Sequence, residues 1–151
     1  MLYISFLPAT SEDANSLSDL AIRSKGHWGY PSELLETWRE DLKITARYIE
    51  ENHVEKIRYE EDLLGFFALR YEGKGWILDH LWLLPEAIGK GIGKMAFYQI
   101  LRIAEKLGIH QFRIVSDPHA EPFYLKRGAR RIGAVESIPQ GRFLPELVYK
   151  L

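Results

Sequence analysis

The chain has 151 residues, 46% of them hydrophobic and 27% charged, with a net charge of −1 and no cysteine. That length fits one domain over residues 1–151 with a sizeable core, and the near-neutral balance argues against a general nucleic-acid or anionic-membrane surface. Without cysteine there is no disulfide framework, thiolate zinc site or thiol nucleophile; no apolar run reaches the length of a membrane span and the first residues lack a signal-peptide pattern, so a cytoplasmic location is expected.

Tyr3 to Leu7 reads as a first strand, ended by Pro8. Thr10 or Ser11 caps a helix that opens on Glu12 and Asp13, buries Ala14, Leu17, Leu20 and Ala21, and stops near Gly26. His27-Trp28-Gly29-Tyr30-Pro31 is a loop with two large aromatics, and Ser32 caps a second helix through Leu34, Leu35 and Trp38 to about Leu42. A short extended piece is expected over Arg47 to Ile49. Val54 to Tyr59 alternates like a strand, Glu60-Glu61-Asp62 turns, and Leu63 to Tyr71 is an apolar strand in which Gly65 suggests a bulge. Gly73-Lys74-Gly75 turns into Trp76 to Leu84, rich in β-formers and stopped by Pro85. Short connections make these three strands antiparallel neighbours.

Next comes Gly89-Lys90-Gly91-Ile92-Gly93-Lys94, and then a run with Ile92, Ala96, Ile100, Ile103 and Leu107 at helical spacing. A strand, a glycine loop and a helix start together suit an anion. The first helical amides have no intrahelical acceptor, the dipole adds partial positive charge, and glycine lets a ligand approach the backbone. Lys90 and Lys94 flank the loop as partners for a pyrophosphate. The spacing is neither a dinucleotide fingerprint, whose third glycine would fall on Lys94, nor a Walker loop, which Ile88 and Met95 break. The loop alone also suits a tight strand-to-helix turn with no ligand.

Gly108 stops that helix. His110 to Ser116 follows as a strand parallel to Trp76–Leu84. Asp117-Pro118-His119-Ala120 opens a short helix through Phe123, Tyr124 and Leu125 to Gly128, and Ala129 to Val135 and Leu144 to Leu151 are two last strands around a Ser137–Arg142 turn. The fold class is α/β: a mixed, mostly antiparallel sheet of about seven strands with helices on both faces, without repeats or linkers.

In order and punctuation the chain resembles the GNAT superfamily of acyl-CoA-dependent N-acetyltransferases, over essentially its whole length. Leu81-Trp82-Leu83-Leu84-Pro85-Glu86-Ala87-Ile88-Gly89-Lys90-Gly91-Ile92-Gly93-Lys94 is similar to that family's strand, pyrophosphate loop and helix start. Asp117-Pro118-His119-Ala120-Glu121-Pro122-Phe123-Tyr124, with Gly128-Ala129 after it, resembles its second signature. The resemblance implies acetyl-CoA as co-substrate, lying between the Trp76–Leu84 and His110–Ser116 strands where they splay apart. Backbone groups of Leu81, Trp82 and Leu83 would pair with the pantetheine, those of Gly89, Lys90, Gly91, Ile92, Gly93 and Lys94 would hold the pyrophosphate, and Asp117 would lie near the cofactor arm. Two positions depart from the pattern. Ile88 stands where Gln or Arg is frequent, which removes a side chain but no backbone amide, and Asp117 replaces a common Asn.

Acetyl transfer from a thioester to an amine needs a neutral amine, a polarised carbonyl and a proton for the departing thiolate; direct attack needs no nucleophilic residue. Tyr124 matches the family's acid, and a phenol with a pKa near ~10 is protonated at neutral pH. For the base, His80 leads, ahead of Asp79 on the opposite strand face and of Glu33, since imidazole titrates near neutrality; an ordinary satisfied sheet histidine fits the position at least as well, and water can also carry that proton. Trp28 and Tyr30, in the loop where the family builds its acceptor pocket, could hold a cationic amine against aromatic faces, or could equally serve to tuck that loop onto the core. His119 reads as a capping or surface residue, no spacing suggests a metal, and Arg127, Arg130 and Arg131 read as a solvated face. The expected partner is a small-molecule or peptide amine, with no nucleic acid and no membrane, and exposed terminal strands would permit a homodimer. The alternative is a catalytically degenerate acyl-CoA sensor or interaction module.

Overall fold

A computed structural model of the chain describes residues 3–151. Its strands are β1 (Ile4–Pro8), β2 (His53–Tyr59), β3 (Asp62–Tyr71), β4 (Trp76–Leu83), β5 (Gln111–Val115), β6 (Arg130–Ser137) and β7 (Arg142–Lys150), in the sheet order β1-β2-β3-β4-β5-β7-β6. Its helices are α1 (Ala14–Gly26), α2 (Ser32–Trp38), α3 (Ala46–Glu51), α4 (Ile92–Lys106) and α5 (Glu121–Arg127). Among the described residues no helix is long and apolar enough to cross a membrane. The chain forms two compact units, one taking it up to Leu69 together with His80–Ile100, the other Arg70–Asp79 with Leu101–Leu151.

In the first unit β1 and β2 pair antiparallel, Ile4 opposite Tyr59 and Pro8 opposite Glu55. The expected bulge is present: Ile57 faces Gly65 and Arg58 faces Leu63, so Leu64 is the extra residue on β3. Thr10 and Asp13 form a capping box around a single 3-10 turn that leads into α1. Leu17, Leu20 and Ala21 of α1 pack with Trp38 of α2, Ile49 of α3 and Val54, Phe66 and Ala68 of the sheet. A second cluster gathers Ile57, Ala87, Ile92 and Ala96. Leu17, Ile57, Phe66 and Ala96 are fully buried; for side chains the size of Leu, Ile or Phe, burial contributes about 1.5–3 kcal/mol each.

Two local expectations are corrected here. Residues Arg47 to Ile49 are helical, within α3, because Thr45 caps it: its hydroxyl accepts from Tyr48 N–H at 3.0 Å, and the helix then buries Ile49. The second helix ends at Trp38, four residues short of Leu42, with the chain passing into turns whose Leu42 N–H donates to the Trp38 carbonyl.

In the second unit β4 and β5 run parallel, Trp76 opposite Phe112 and Leu78 opposite Ile114. β5 pairs antiparallel with β7, and β7 with β6, so the last two strands are a hairpin whose inner arm is the later one. The hairpin strands reach closer to the turn than Val135 and Leu144, since Ser137 still faces Arg142. Ile103 and Ala104 of α4 are buried, whereas Leu107, expected on the same face, lies past the helix end and is 45% exposed. The glycine stop decides this: Gly108 takes φ 73°, turning the chain before Leu107 can extend the apolar stripe.

Candidate active site

In the first unit β4 ends at Leu83, Pro85 opens one 3-10 turn, and the chain crosses residues 88–91 into α4. Gly89 and Gly91 hold φ values of 83° and 82°, the left-handed region where glycine pays no steric cost. Nothing lies within 4 Å of where a Cβ would stand at either position, so the loop presents open backbone. Lys90 and Lys94 are exposed, and the Lys94 ammonium stands 5.9 Å from the Tyr98 ring centre. Ile92 is buried and anchors the helix start, while Gly93 in the first turn is partly exposed. The residues present therefore fit a diphosphate: an open glycine backbone, an anchored helix start and two exposed ammonium groups.

The stretch before the loop is shaped by one close approach. A Cβ on Gly65 of β3 would overlap the Trp82 carbonyl oxygen and stand 2.7 Å from Leu83 Cδ2. Leu84 N–H donates to the Leu64 carbonyl at 2.8 Å. Leu81, Trp82 and Leu83 are all half-buried.

His80 is buried at 9% exposure, and its Nδ1 accepts the Trp82 indole N–H at 2.9 Å. The neutral ring therefore carries its proton on Nε2. Tyr48 meets the ring edge-on at 5.7 Å and Phe66 lies 5.8 Å away. Beside this cluster Lys25 of α1, only 6% exposed, holds its ammonium 4.6 Å from the Trp38 ring centre, 5.3 Å from Tyr30 and 5.8 Å from Trp82. One face of Tyr30 thus already meets a cation of the chain itself. Trp28 packs edge-on against His27 at 4.8 Å. Sequence reasoning passed over Lys25, since a lysine near a helix end ordinarily reads as a solvated charge. It also passed over buried Glu55, held by His53 Nε2 at 2.6 Å and Gln99 Nε2 at 3.0 Å.

In the second unit β5 leads through Ser116 and Asp117 into α5. The Asp117 carboxylate accepts His119 N–H at 2.9 Å, lies 3.0 Å from His119 Nδ1, and stands 3.6 Å from an Arg142 guanidinium nitrogen. Those partners satisfy a buried charge that Asn in the same place would not carry. Tyr124 of α5 is buried, and burial pushes its phenol well above the ordinary tyrosine range, so the proton stays on. Phe123 packs edge-on to it at 5.2 Å, and Arg127 stands over Phe123 at 5.2 Å. Gly128 closes the helix in the left-handed region at φ 111°. Arg131 reaches Glu121 at 3.7 Å, while Arg130 is exposed. Asp79, the weaker base candidate, accepts from Arg70 Nε at 3.2 Å. Among the described residues no group of three or more His, Asp or Glu is gathered as a metal site.

Comparison with known proteins bears on this arrangement. No curated protein sequence matches the chain. Solved structures do. The PaiA N-acetyltransferase from Thermoplasma acidophilum, in complex with coenzyme A, shares 22% identity over 99% of this chain and 100% of its own, with a TM-score of 0.79. A GCN5-related N-acetyltransferase from Rhodopseudomonas palustris shares 17% over 100% and 98%, with a TM-score of 0.80. A GNAT family acetyltransferase from Elizabethkingia anophelis, with acetyl-CoA bound, shares 14% over 98% of each chain, at a TM-score of 0.71. At these identities the likeness is one of fold. The model of the acetyltransferase (GNAT) family matches residues 15–129, well over half of the sequence, and the chain belongs to that family of acetyl-CoA-dependent enzymes.

Proposed function

We propose that this enzyme transfers the acetyl group of acetyl-CoA to a primary amine by direct attack in a ternary complex. Acetyl-CoA supplies an activated thioester carbonyl and a thiolate leaving group. The amine lone pair forms the new C–N bond as the C–S bond breaks; the sulfur takes up a proton and the nitrogen gives one to solvent. Residues 89–94 hold the diphosphate through backbone amides, with Lys90 and Lys94 beside them. Leu81, Trp82 and Leu83 offer main-chain groups to the pantetheine, and Asp117 borders the cofactor arm.

The observation that carries the reading is the buried, protonated Tyr124 in the second family signature. A phenol raised above its ordinary pKa is a poor donor of a whole proton to a thiolate whose thiol titrates near ~8.5. It serves instead as a hydrogen-bond donor aimed at developing negative charge, which strengthens as the sulfur departs. His80, with Nδ1 engaged by Trp82, acts through Nε2–H as a donor or positioning group, and water removes the amine proton.

Thiol release from acetyl-CoA with a panel of amines, for the native protein and Tyr124→Phe, tests this. Turnover lost in the variant with coenzyme A binding retained is the expected result. Coenzyme A binding without turnover on any amine would instead assign the alternative, a binding module; absence of calorimetric binding to coenzyme A or acetyl-CoA would remove both readings.

A further inference from the structure

In the second unit, Glu72 bridges two arginines. Its Oε1 accepts from Arg70 Nη1 at 2.9 Å and its Oε2 from Arg113 Nη2 at 2.9 Å. Each guanidinium has a further acid behind it. Arg70 Nε donates to Asp79 at 3.2 Å, and Arg113 Nη1 donates to Glu146 at 3.3 Å. These five side chains ring a cavity of about 210 Å³ to which Val115 and Val135, each more than a third exposed, add apolar wall. That is smaller than the roughly 300–1,000 Å³ of pockets that take drug-sized ligands and suits a small molecule.

The three acids are not equivalent. Asp79 and Glu146 are 24% and 23% exposed, whereas Glu72 is 46% exposed and sits on the β3–β4 turn. Gly73 and Gly75 follow it with φ values of 52° and 152°, so its backbone is turned by residues that hold such angles at no steric cost. Burial pulls the Arg70 pKa down, but the bonds and charges of Asp79 and Glu72 outweigh it and keep the guanidinium a firm cation. Two arginines closing on one carboxylate is the geometry by which guanidinium groups recognise a carboxylate ligand. With Glu72 swung out, two cations and two acids remain, a site of zero net charge with its signs separated.

Resting on the acetyltransfer reading above, we infer that this cavity receives the acceptor, and that the acceptor is a small amine that also bears a carboxylate, taken up by displacing Glu72 from Arg70 and Arg113. The ligand carboxylate replaces that of Glu72, its ammonium faces Asp79 or Glu146, and its apolar part lies along Val115 and Val135. An amine without a carboxylate leaves Glu72 in place and gains nothing from the arginine pair.

Calorimetry on the full chain, with L-leucine against isopentylamine and L-phenylalanine against phenethylamine, tests the site without any turnover. The amino acids are expected to bind and the bare amines not. Arg113→Met should weaken amino-acid binding by about tenfold or more, the effect of losing one charge-assisted contact. Glu72→Gln should tighten it by about tenfold, because the internal competitor has lost its charge; a residue with a merely structural role would not move affinity in that direction, and an exposed turn position keeps this variant folded. Equal binding of amines and amino acids, no binding of either amino acid, or a Glu72→Gln variant with unchanged or weaker affinity would overturn the assignment. Amino-acid binding with these mutational signs, but no thiol release, supports the cavity assignment while removing the catalytic reading. Thiol release with bare amines alone leaves the catalysis standing and removes the cavity.

Discussion

The indole N–H of Trp82 meets Nδ1 of His80 at 2.9 Å. Protonating that ring would set two N–H groups against each other, so the pair favours a neutral imidazole with its hydrogen on Nε2. Imidazole ¹⁵N spectra should therefore show the Nε2–H tautomer in the native protein and a mixture of tautomers in Trp82→Phe. A native ring protonated at Nδ1 would contradict the pairing.

Tyr124 is poised by burial to keep its proton. Tyr124→Phe removes the donor with little change in volume, and thiol release should fall by about 10²–10³-fold with coenzyme A affinity unchanged. A phenol with a raised pKa stays protonated further into alkali, so its ionisation causes no loss of turnover between roughly pH 6 and 9. A fully active Phe variant would show that the sulfur needs no donor at this position.

Gly65 of β3 lies against the Trp82–Leu83 backbone of β4, and a methyl there meets a backbone carbonyl rather than only a flexible side chain. Gly65→Ala should cost about 1–3 kcal/mol in denaturant unfolding and weaken coenzyme A binding as the Trp82–Leu83 backbone shifts. An alanine variant with native stability would mean that the strands separate there at little cost.

Asp13 gives a pH dependence with a defined sign. Partial burial works against its charge, but hydrogen bonds from Thr10 and Lys56, at 2.8 and 3.3 Å, together with the Lys56 charge, win and hold its pKa below the ordinary 3.8. A depressed carboxyl contributes stability that is fully present above its unfolded value and is lost as pH falls through the folded one. Unfolding midpoints followed between roughly pH 2 and 6 should drop less steeply on the acid side for Asp13→Asn than for the native chain. Parallel curves would place the acid sensitivity elsewhere.

Much of this was legible in the order of residues because the signals are local. The bulge beside Gly65, the glycine turn between β4 and α4, the cap at Thr10 and the helix stop at Gly108 each depend on a few neighbours, and the structure bears them out. Where local reading failed, at Arg47–Ile49 and Leu107, a single cap or turn outweighed an apolar pattern. Apart from α3, the sequence alone therefore determined the element types, together with the glycine loop and the two family signatures. Tertiary structure alone decided which charges meet. Arg113 and Glu72 are 41 positions apart and meet because β5 lies next to β4, whereas Arg113 and Glu146 are 33 apart and meet because β7 lies next to β5 with β6 outside it. The Lys25 ammonium likewise finds Trp82 only because α1 folds against the sheet. Strand order is set by the burial of whole faces, and such long-range pairings leave no spacing in the chain from which they can be read.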